Sequence, residues 1–263
     1  MKKIIAIICL AGTVGLAKGA LTLNGTSYTQ NFDSIGGGLP AGWSVDTGAT
    51  SSSTGSAATL NTTATAWSGT TGQFANFASS DGLPANATTG AGGQQNSSTD
   101  RALGIRQGSA FGDPGAAFEF NIANTTGFDD FSLSISLQML SVQTRSTTWT
   151  IDYRVGDSGS FTTLGTYSDP GVFGSTSFTA DSTALSSWNN QSQDIWFRVV
   201  AIDASTGGGA RDTFGIDDFS LRYSAVPEPV DCGMISALGL LGICGVSTWR
   251  KHYAAKRASS DCG

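Results

Sequence analysis

The stretch from residue 20 to residue 225 contains no cysteine, no histidine and no lysine. The four cysteines of the chain all lie outside it: Cys9, Cys232, Cys244 and Cys262. The single histidine is His252. Within this stretch the sequence therefore excludes a disulfide, a histidine-held zinc ion, a Ser–His–Asp triad, a Cys–His pair and a lysine Schiff base. Stability must come from a hydrophobic core, alone or together with a bound metal ion.

Positive charge is also scarce between residues 20 and 225. Seventeen acidic residues (16 aspartates and Glu119) stand against seven arginines, which gives a net charge of −10. Such a surface repels phosphate groups, so nucleic-acid binding is disfavoured. Its simplest role is solubility and mutual repulsion at a crowded surface. An acid–base pair of carboxylates stays open, but Glu119 is the single glutamate and lies inside a predicted strand. We therefore predict no enzyme and no catalytic residue.

Helical periodicity is missing from the same stretch, whereas short alternating segments are frequent. Five apolar residues alternate with polar ones between Phe131 and Met139, which predicts a strand with one buried face. Further strands are predicted at 27–32, 42–45, 74–78, 101–107, 116–124, 149–155, 161–167, 177–180, 194–202 and 214–223. Many short strands separated by Gly, Pro and Asp turns predict an all-β fold, a two-sheet antiparallel sandwich or jelly roll.

Two stretches, 47–72 and 79–98, consist mostly of Ser, Thr, Gly, Ala and Asn. Because they can bury little apolar surface, we expect both to be long mobile loops. Trp67 lies in the first of them, and Trp188 precedes two asparagines, so these tryptophans are the best candidates for exposed rings that stack on sugars. Ordinary packing is the competing interpretation for both side chains.

The N-terminus has the pattern of a secretory signal peptide. Lys2 and Lys3 give a positive start, an apolar run follows to Leu16, and small residues at positions 17 and 19 predict cleavage after Gly19. We therefore predict that the Sec translocon exports the chain and that signal peptidase removes residues 1–19. Residues 20–225 then form the exported domain.

Near the C-terminus, 18 uncharged residues run from Cys232 to Trp249. This is about the shortest length that crosses hydrocarbon as a helix. A basic cluster follows directly: Arg250, Lys251, Lys256 and Arg257. The tryptophan suits the membrane interface, and the cations favour a cytoplasmic C-terminus. The pattern predicts a transmembrane helix at about 232–249, within a terminal segment 226–263.

Four residues precede this helix: Val226, Pro227, Glu228 and Pro229. A Pro-Glu-Pro motif, one apolar helix and a basic cluster in this order resemble the PEP-CTERM sorting signal of exported bacterial proteins. The resemblance implies that an exosortase-like membrane protease processes the segment. It also implies that the protein is sorted to the cell surface or the extracellular matrix.

The body of the chain carries a second resemblance. The runs from Arg145 to Gly156 and from Asp212 to Phe219, with Gln30 to Asp33 near the start, are similar to a jelly-roll domain. That domain recurs in secreted and surface proteins of bacteria that use such C-terminal signals. The resemblance implies a two-sheet sandwich whose first and last strands pair, and it implies no reaction.

Aspartates near the two ends of this domain suit a calcium ion, which takes roughly six to eight oxygen ligands. Asp33 follows the first predicted strand, and Asp217 and Asp218 lie on the last. If these strands are neighbours, the three carboxylates meet, and we expect calcium there. Turn and capping roles for these aspartates are the competing interpretation.

Together these features predict a non-enzymatic exported protein with a structural or adhesive role, held in the inner membrane by its C-terminal helix before sorting. The alternative is a carbohydrate-binding protein with a calcium-stabilised jelly roll. A carboxylate-based glycoside hydrolase is the less favoured third interpretation. The expected partners are the Sec translocon, signal peptidase, an exosortase-like protease and an extracellular polysaccharide.

Overall fold

The computed structural model describes residues 19–69, 72–84 and 92–227. The elements below belong to a compact unit that ends at Ala225. Nearly all of the predicted signal peptide (1–19) and of the predicted sorting segment (226–263), including its membrane helix, lies outside the described residues. Within the described residues, no helix is both long and apolar enough to span a membrane.

The described part of the chain is almost entirely β, as predicted from its alternating segments. In chain order the strands are β1 (Ser27–Gln30), β2 (Trp43–Thr47), β3 (Ser56–Ala57), β4 (Leu60–Thr65), β5 (Gln73–Ala78), β6 (Arg101–Arg106), β7 (Ala117–Ile122), β8 (Phe128–Ser141), β9 (Arg145–Ser146), β10 (Trp149–Val155), β11 (Thr162–Tyr167), β12 (Gly174–Ala180), β13 (Ile195–Val200), β14 (Thr206–Gly207) and β15 (Thr213–Ala225). A short helix, α1, spans Gly92–Ser97, and 3₁₀ turns lie at Ile35–Gly37 and Ser186–Trp188.

Two sheets form a sandwich. The seven-stranded sheet has the order β12-β8-β15-β6-β5-β4, with β1 also paired to β15. The six-stranded sheet has the order β11-β10-β13-β7-β2-β3, and β9 and β14 form a separate ribbon. The chain passes between the two sheets at each step from β6 through β7 and β8 to β10, which is jelly-roll connectivity. Among the described strand pairs, β4–β5 is parallel and the others are antiparallel.

The first and last strands of this unit are neighbours, as expected. Thr29 of β1 lies opposite Ser220 of β15, and Ser27 lies opposite Arg222. The two ends of the domain are therefore joined by a backbone ladder without a disulfide.

Alternation along β8 determines which side of the seven-stranded sheet is buried. Ile135 is 1% exposed, whereas Ser134 on the opposite side is partly exposed. The inner sides of the two sheets pack directly on each other: the rings of Trp149 and Phe214 stack with centroids 4.3 Å apart. This aromatic core replaces the missing disulfides as the source of stability.

The expectation of two long mobile loops is wrong for parts of both stretches. The first contains β3 and β4, and the second contains α1. β4 pairs with β5, and Asn76 Nδ2 donates a hydrogen bond to Thr62 O at 2.9 Å. A strand at the edge of a sheet needs little apolar surface, because its neighbour supplies the backbone hydrogen bonds. Composition alone therefore did not predict β4.

Replacing Ile135 by alanine should lower the free energy of unfolding by about 2–5 kcal/mol, because a core side chain is lost. Ser134→Ala, one residue away on the outer side, should change it by less than about 0.5 kcal/mol. Equilibrium denaturation in urea measures both values. Equal effects at the two positions would contradict the observed register.

Candidate calcium site and open sheet face

A bulge in β15 brings two consecutive aspartates to the outer side of the seven-stranded sheet. Between Asp217 and Ser220, β15 has two residues where β8 has one. Asp218 has a φ of 45°, in the left-handed region, and its backbone N–H donates to Asp217 Oδ1 at 2.8 Å. An extra residue of this kind re-aims side chains and is common beside binding sites.

Asp81 forms a group of three carboxylates with Asp217 and Asp218. One oxygen from each side chain lies within 4.8 Å of the other two. Asp217 is buried and the other two are exposed, so the group opens to solvent on one side. Gln138 Nε2 donates to Asp217 Oδ2 at 3.3 Å, and Ser175 Oγ donates to Asp81 Oδ1 at 2.5 Å. These hydrogen bonds tie the carboxylate group to β8 and β12.

Asp33, the third ligand expected from the sequence, is not one of these three carboxylates. Its Oδ1 accepts from the backbone N–H of Arg101 at 2.9 Å, and its Oδ2 accepts from Asn31 Nδ2 at 2.6 Å. It is still a near neighbour, since its charge helps to raise the pKa of Asp218. The sequence missed Asp81 because that residue is distant in the chain and meets β15 only through the folded sheet.

Burial and like charge raise the pKa values in this group. For Asp217, which is 1% exposed, burial raises the pKa to about 8, and the charges of Asp218 and Asp100 add to the increase. Burial also raises the pKa of Asp218, with the charges of Asp81 and Asp33 as further causes. Carboxylates that repel one another in this way favour a cation between them.

The donor set fits calcium. Calcium takes oxygen ligands in a flexible geometry, roughly six to eight of them. The part of the chain that the structure describes contains no histidine or cysteine to select a softer metal. Asp81, Asp217 and Asp218 would hold the ion, which leaves further coordination positions for oxygens on the exposed side. A bound ion would neutralise the mutual repulsion and fix the bulge.

The segment 50–55 covers part of the outer side of the six-stranded sheet. Arg198, which is fully buried, donates to two backbone carbonyls of this segment, each at 2.8 Å. The same guanidinium pairs with Asp152 at 2.6 Å, and its Cζ lies 3.4 Å from the ring centroid of Phe161. The guanidinium of Arg198 and the carboxylate of Asp152 are therefore covered instead of facing solvent.

Trp67 is buried on the outer side of the seven-stranded sheet, so the prediction that it is an exposed sugar-stacking ring is wrong. It is 1% exposed and packs with Phe77, Ala102 and Leu140 in a small second core. Its Nε1 donates to Ala78 O at 2.8 Å. The Ser/Thr-rich sequence around Trp67 concealed this burial, because the apolar partners come from distant strands.

Trp188 is also buried, so its predicted exposed role is wrong as well. Its side chain is fully enclosed, and its ring packs against those of Phe131 and Tyr153 with centroids 6.0 Å and 5.7 Å away. The two asparagines after it suggested an exposed loop. The 3₁₀ turn that ends at Trp188 instead directs the ring inward.

The part of that outer side formed by β12, β8, β15 and β1 is accessible to solvent, and we call it the open face. Its outward residues are mostly small and hydroxyl-bearing, with one cation and one carboxylate at one end: Ser132, Ser134, Ser136, Ser177, Thr179, Ser220, Thr29, Arg222 and Asp181. A depression of about 300 Å³ includes Leu133 and Ala180 in its lining. A second depression, of about 390 Å³, lies beside Asp218, and Ser220 lines both.

No protein-family model matches the chain, and no curated protein matches it in sequence. Among solved structures, the xylan-binding module CBM15 matches 77% of this chain and 100% of that chain, with 11% identity and a TM-score of 0.40. The K1 cleaved adhesin domain of Lys-gingipain from Porphyromonas gingivalis W83 matches the same shares, with 11% identity and a TM-score of 0.39.

A mutant of Xylanase10C from Cellvibrio japonicus, solved in complex with xylopentaose, matches 70% of this chain with 12% identity and a TM-score of 0.38. The match spans 27% of the length of that xylanase chain.

In EDTA, the melting temperature should fall as the pH rises from about 4 to about 8. The pKa of Asp217 is raised in the folded state, so the folded protein keeps a proton on this carboxyl group that the unfolded chain releases at lower pH. The stability associated with that proton is lost as the pH rises through the folded pKa of about 8. Burial raises the pKa of Asp212 to about 6, so Asp212 contributes only to the lower part of this fall. Asp217→Asn should therefore remove the fall between pH 6 and pH 8.

Differential scanning calorimetry over this pH range measures the effect. Millimolar calcium should raise the melting temperature of the wild-type protein most at high pH, because the ion binds deprotonated carboxylates of the native state. The Asp217→Asn variant is the matched control and should gain less from calcium. Identical wild-type curves in EDTA and in calcium would leave these aspartates as turn and capping residues.

Proposed function

We propose that residues 20–225 form an exported, calcium-stabilised jelly-roll domain that binds polysaccharide. The observation that carries this proposal is the open face, where hydroxyl side chains on four adjacent strands contribute to two depressions that share Ser220. Hydroxyl groups both donate and accept hydrogen bonds, and so do the hydroxyls of a sugar. The open face ends beside Asp81, Asp217 and Asp218, so an ion there would stiffen one border of the binding surface.

Hydrogen bonding, rather than aromatic stacking, is the expected mode of binding. Among the described residues, the exposed large hydrophobic side chains are Val172 and Val226, and Trp67 and Trp188 are both buried. A neutral hydrogen bond contributes about 0.5–1.5 kcal/mol. Useful affinity therefore needs several contacts along a chain, which favours a polysaccharide over a single sugar.

We also propose that the protein is not an enzyme. Glu119 lies on the six-stranded sheet, away from the open face, and it is 1% exposed. Asp81, Asp217 and Asp218 beside the open face form a single convergent group. The two carboxyl groups of a glycoside hydrolase instead flank the scissile bond. A convergent group of three is better suited to sharing a cation.

The targeting segments support a location outside the cytoplasm, on sequence pattern alone. Residues 1–19 would direct export through the Sec translocon, and the Pro227-Glu228-Pro229 motif with the helix at 232–249 would direct sorting by an exosortase-like protease. A domain that binds polysaccharide at the cell surface or in the extracellular matrix would have an adhesive or structural role there.

Purified full-length protein should bind one or more polysaccharides on a glycan array in millimolar calcium and bind them less well in EDTA. The expected loss in EDTA follows from the bulge that calcium would hold at the border of the open face. Asp217→Asn is the control, since its binding should depend less on calcium. An absence of binding to every glycan in both media would contradict the proposal and favour a purely structural role.

Protein isolated from its native host should lack residues 1–19 and, if the exosortase cleaves it, most of the sequence beyond Pro229. Intact-mass spectrometry of the surface form measures both ends. A surface form that retains the sequence through Gly263 would contradict sorting by cleavage, and a plain membrane anchor would then explain the C-terminal segment.

A further inference from the structure

We infer that the open face binds an internal stretch of a neutral, linear polysaccharide, which lies across the strands from the depression at Arg222 and Asp181 towards β1. This inference rests on the proposed function and names the ligand class and the subsite.

One row of hydroxyl groups crosses the open face in register. Thr179 lies opposite Ser134, Ser134 lies opposite Ser220, and Ser220 lies opposite Thr29. Adjacent strands are about 4.8 Å apart, so the row is about 14 Å long, more than the width of a single sugar ring. Within the part of the chain that the structure describes, no hydrogen bond engages these four side-chain hydroxyls. They are free to bond a ligand.

The depression at one end of this row has a polar lining. Ser132, Thr179, Arg222 and Asp181 surround it, whereas Leu133 and Ala180 are 4% and 7% exposed and belong to the core beneath it. A sugar ring presents hydroxyls along its edge. The depression therefore suits one ring of the chain, held by hydrogen bonds at that edge.

Arg222 and Asp181 would orient the hydroxyls of that ring. The guanidinium offers only donors, and an ionised carboxylate offers only acceptors. Asp181 Oδ1 already accepts from the backbone N–H of Ala184 at 2.9 Å, and Oδ2 remains to accept from a ligand. One hydroxyl of the ring would therefore accept from Arg222, and another would donate to Asp181.

Charge favours a neutral ligand over an acidic one. The exported stretch has a net charge of −10, and Asp81, Asp217 and Asp218 stand at the border of the open face. Arg222 is the single cation among the outward residues of this face. A polyanion laid across it would be repelled along most of its length.

The ligand should be an internal stretch because the second depression continues the path of the first. Ser220 lines both, and the second also includes Thr29 and Gln30 of β1. Neither depression is an enclosed cavity that would demand a chain end. Affinity should accordingly increase with the number of sugar units until the row is filled.

Isothermal titration calorimetry with purified full-length protein tests the inference. The neutral probes are soluble mannan and soluble xylan with their oligosaccharides, and polygalacturonate is the anionic probe. The variant Ser134→Ala with Ser220→Ala removes two hydroxyls from the row. It should weaken binding about tenfold, that is by about 1.4 kcal/mol. Arg222→Ala should weaken it by a similar factor.

The matched control removes a hydroxyl pair from the other sheet. Thr150 and Thr166 lie opposite each other on β10 and β11, so Thr150→Ala with Thr166→Ala changes the same chemistry away from the open face. This control should bind as the wild-type protein does, within about twofold in affinity. Melting curves of all variants should coincide closely, which keeps loss of folding apart from loss of binding.

The outcomes separate this inference from the proposed function. Undiminished binding in both open-face variants, or equal loss in the control, would overturn the inference while the protein remained a polysaccharide-binding protein. Stronger binding of polygalacturonate than of the neutral probes would overturn the ligand class. Affinity that is equal for a monosaccharide and a hexasaccharide would overturn the extended subsite. Absence of binding to every probe here and to every glycan on the array would overturn both proposals.

Discussion

The pairing of β8 with β15 is the interaction on which the rest of the structure depends. These strands contain 14 and 13 residues and lie side by side within the seven-stranded sheet. Their inner sides contribute to the core, their outer sides form the middle of the open face, and the irregularity in their pairing presents Asp217 and Asp218 together. A slip of one residue would exchange inner and outer sides. Core and candidate site are therefore fixed by the same register.

The buried ion pair of Arg198 and Asp152 has a different role. Removing two charges from water costs several kcal/mol for each ion, so such a pair is weak evidence for net stability. Its hydrogen bonds to the carbonyls of the segment 50–55 are specific in position, at 2.8 Å each. The pair thus helps to fix where this segment lies on the outer side of the six-stranded sheet.

Periodicity in the sequence was sufficient where apolar and polar residues alternate along a strand, as in β8 and β10. It failed where stabilisation comes from residues far away in the chain. β4 depends on backbone pairing with β5. Trp67 is buried against residues that are far from it in the sequence, such as Ala102 and Leu140. The adjacent pair Asp217-Asp218 was visible in the sequence, but Asp81 was not, because only the folded sheet brings it there.

The neighbouring positions of β1 and β15 also have a mechanical consequence. The chain enters β1 at Ser27 beside Arg222, and it leaves β15 at Ala225. A pull on the connection after Ala225 acts along β15, the strand that contributes Ser220 and Arg222 to the open face. Tension between a tether and anything held on that face would pass through a few residues of one strand. Phe219, Leu221 and Tyr223 of the same strand are buried in the core, so such tension would also act on the core.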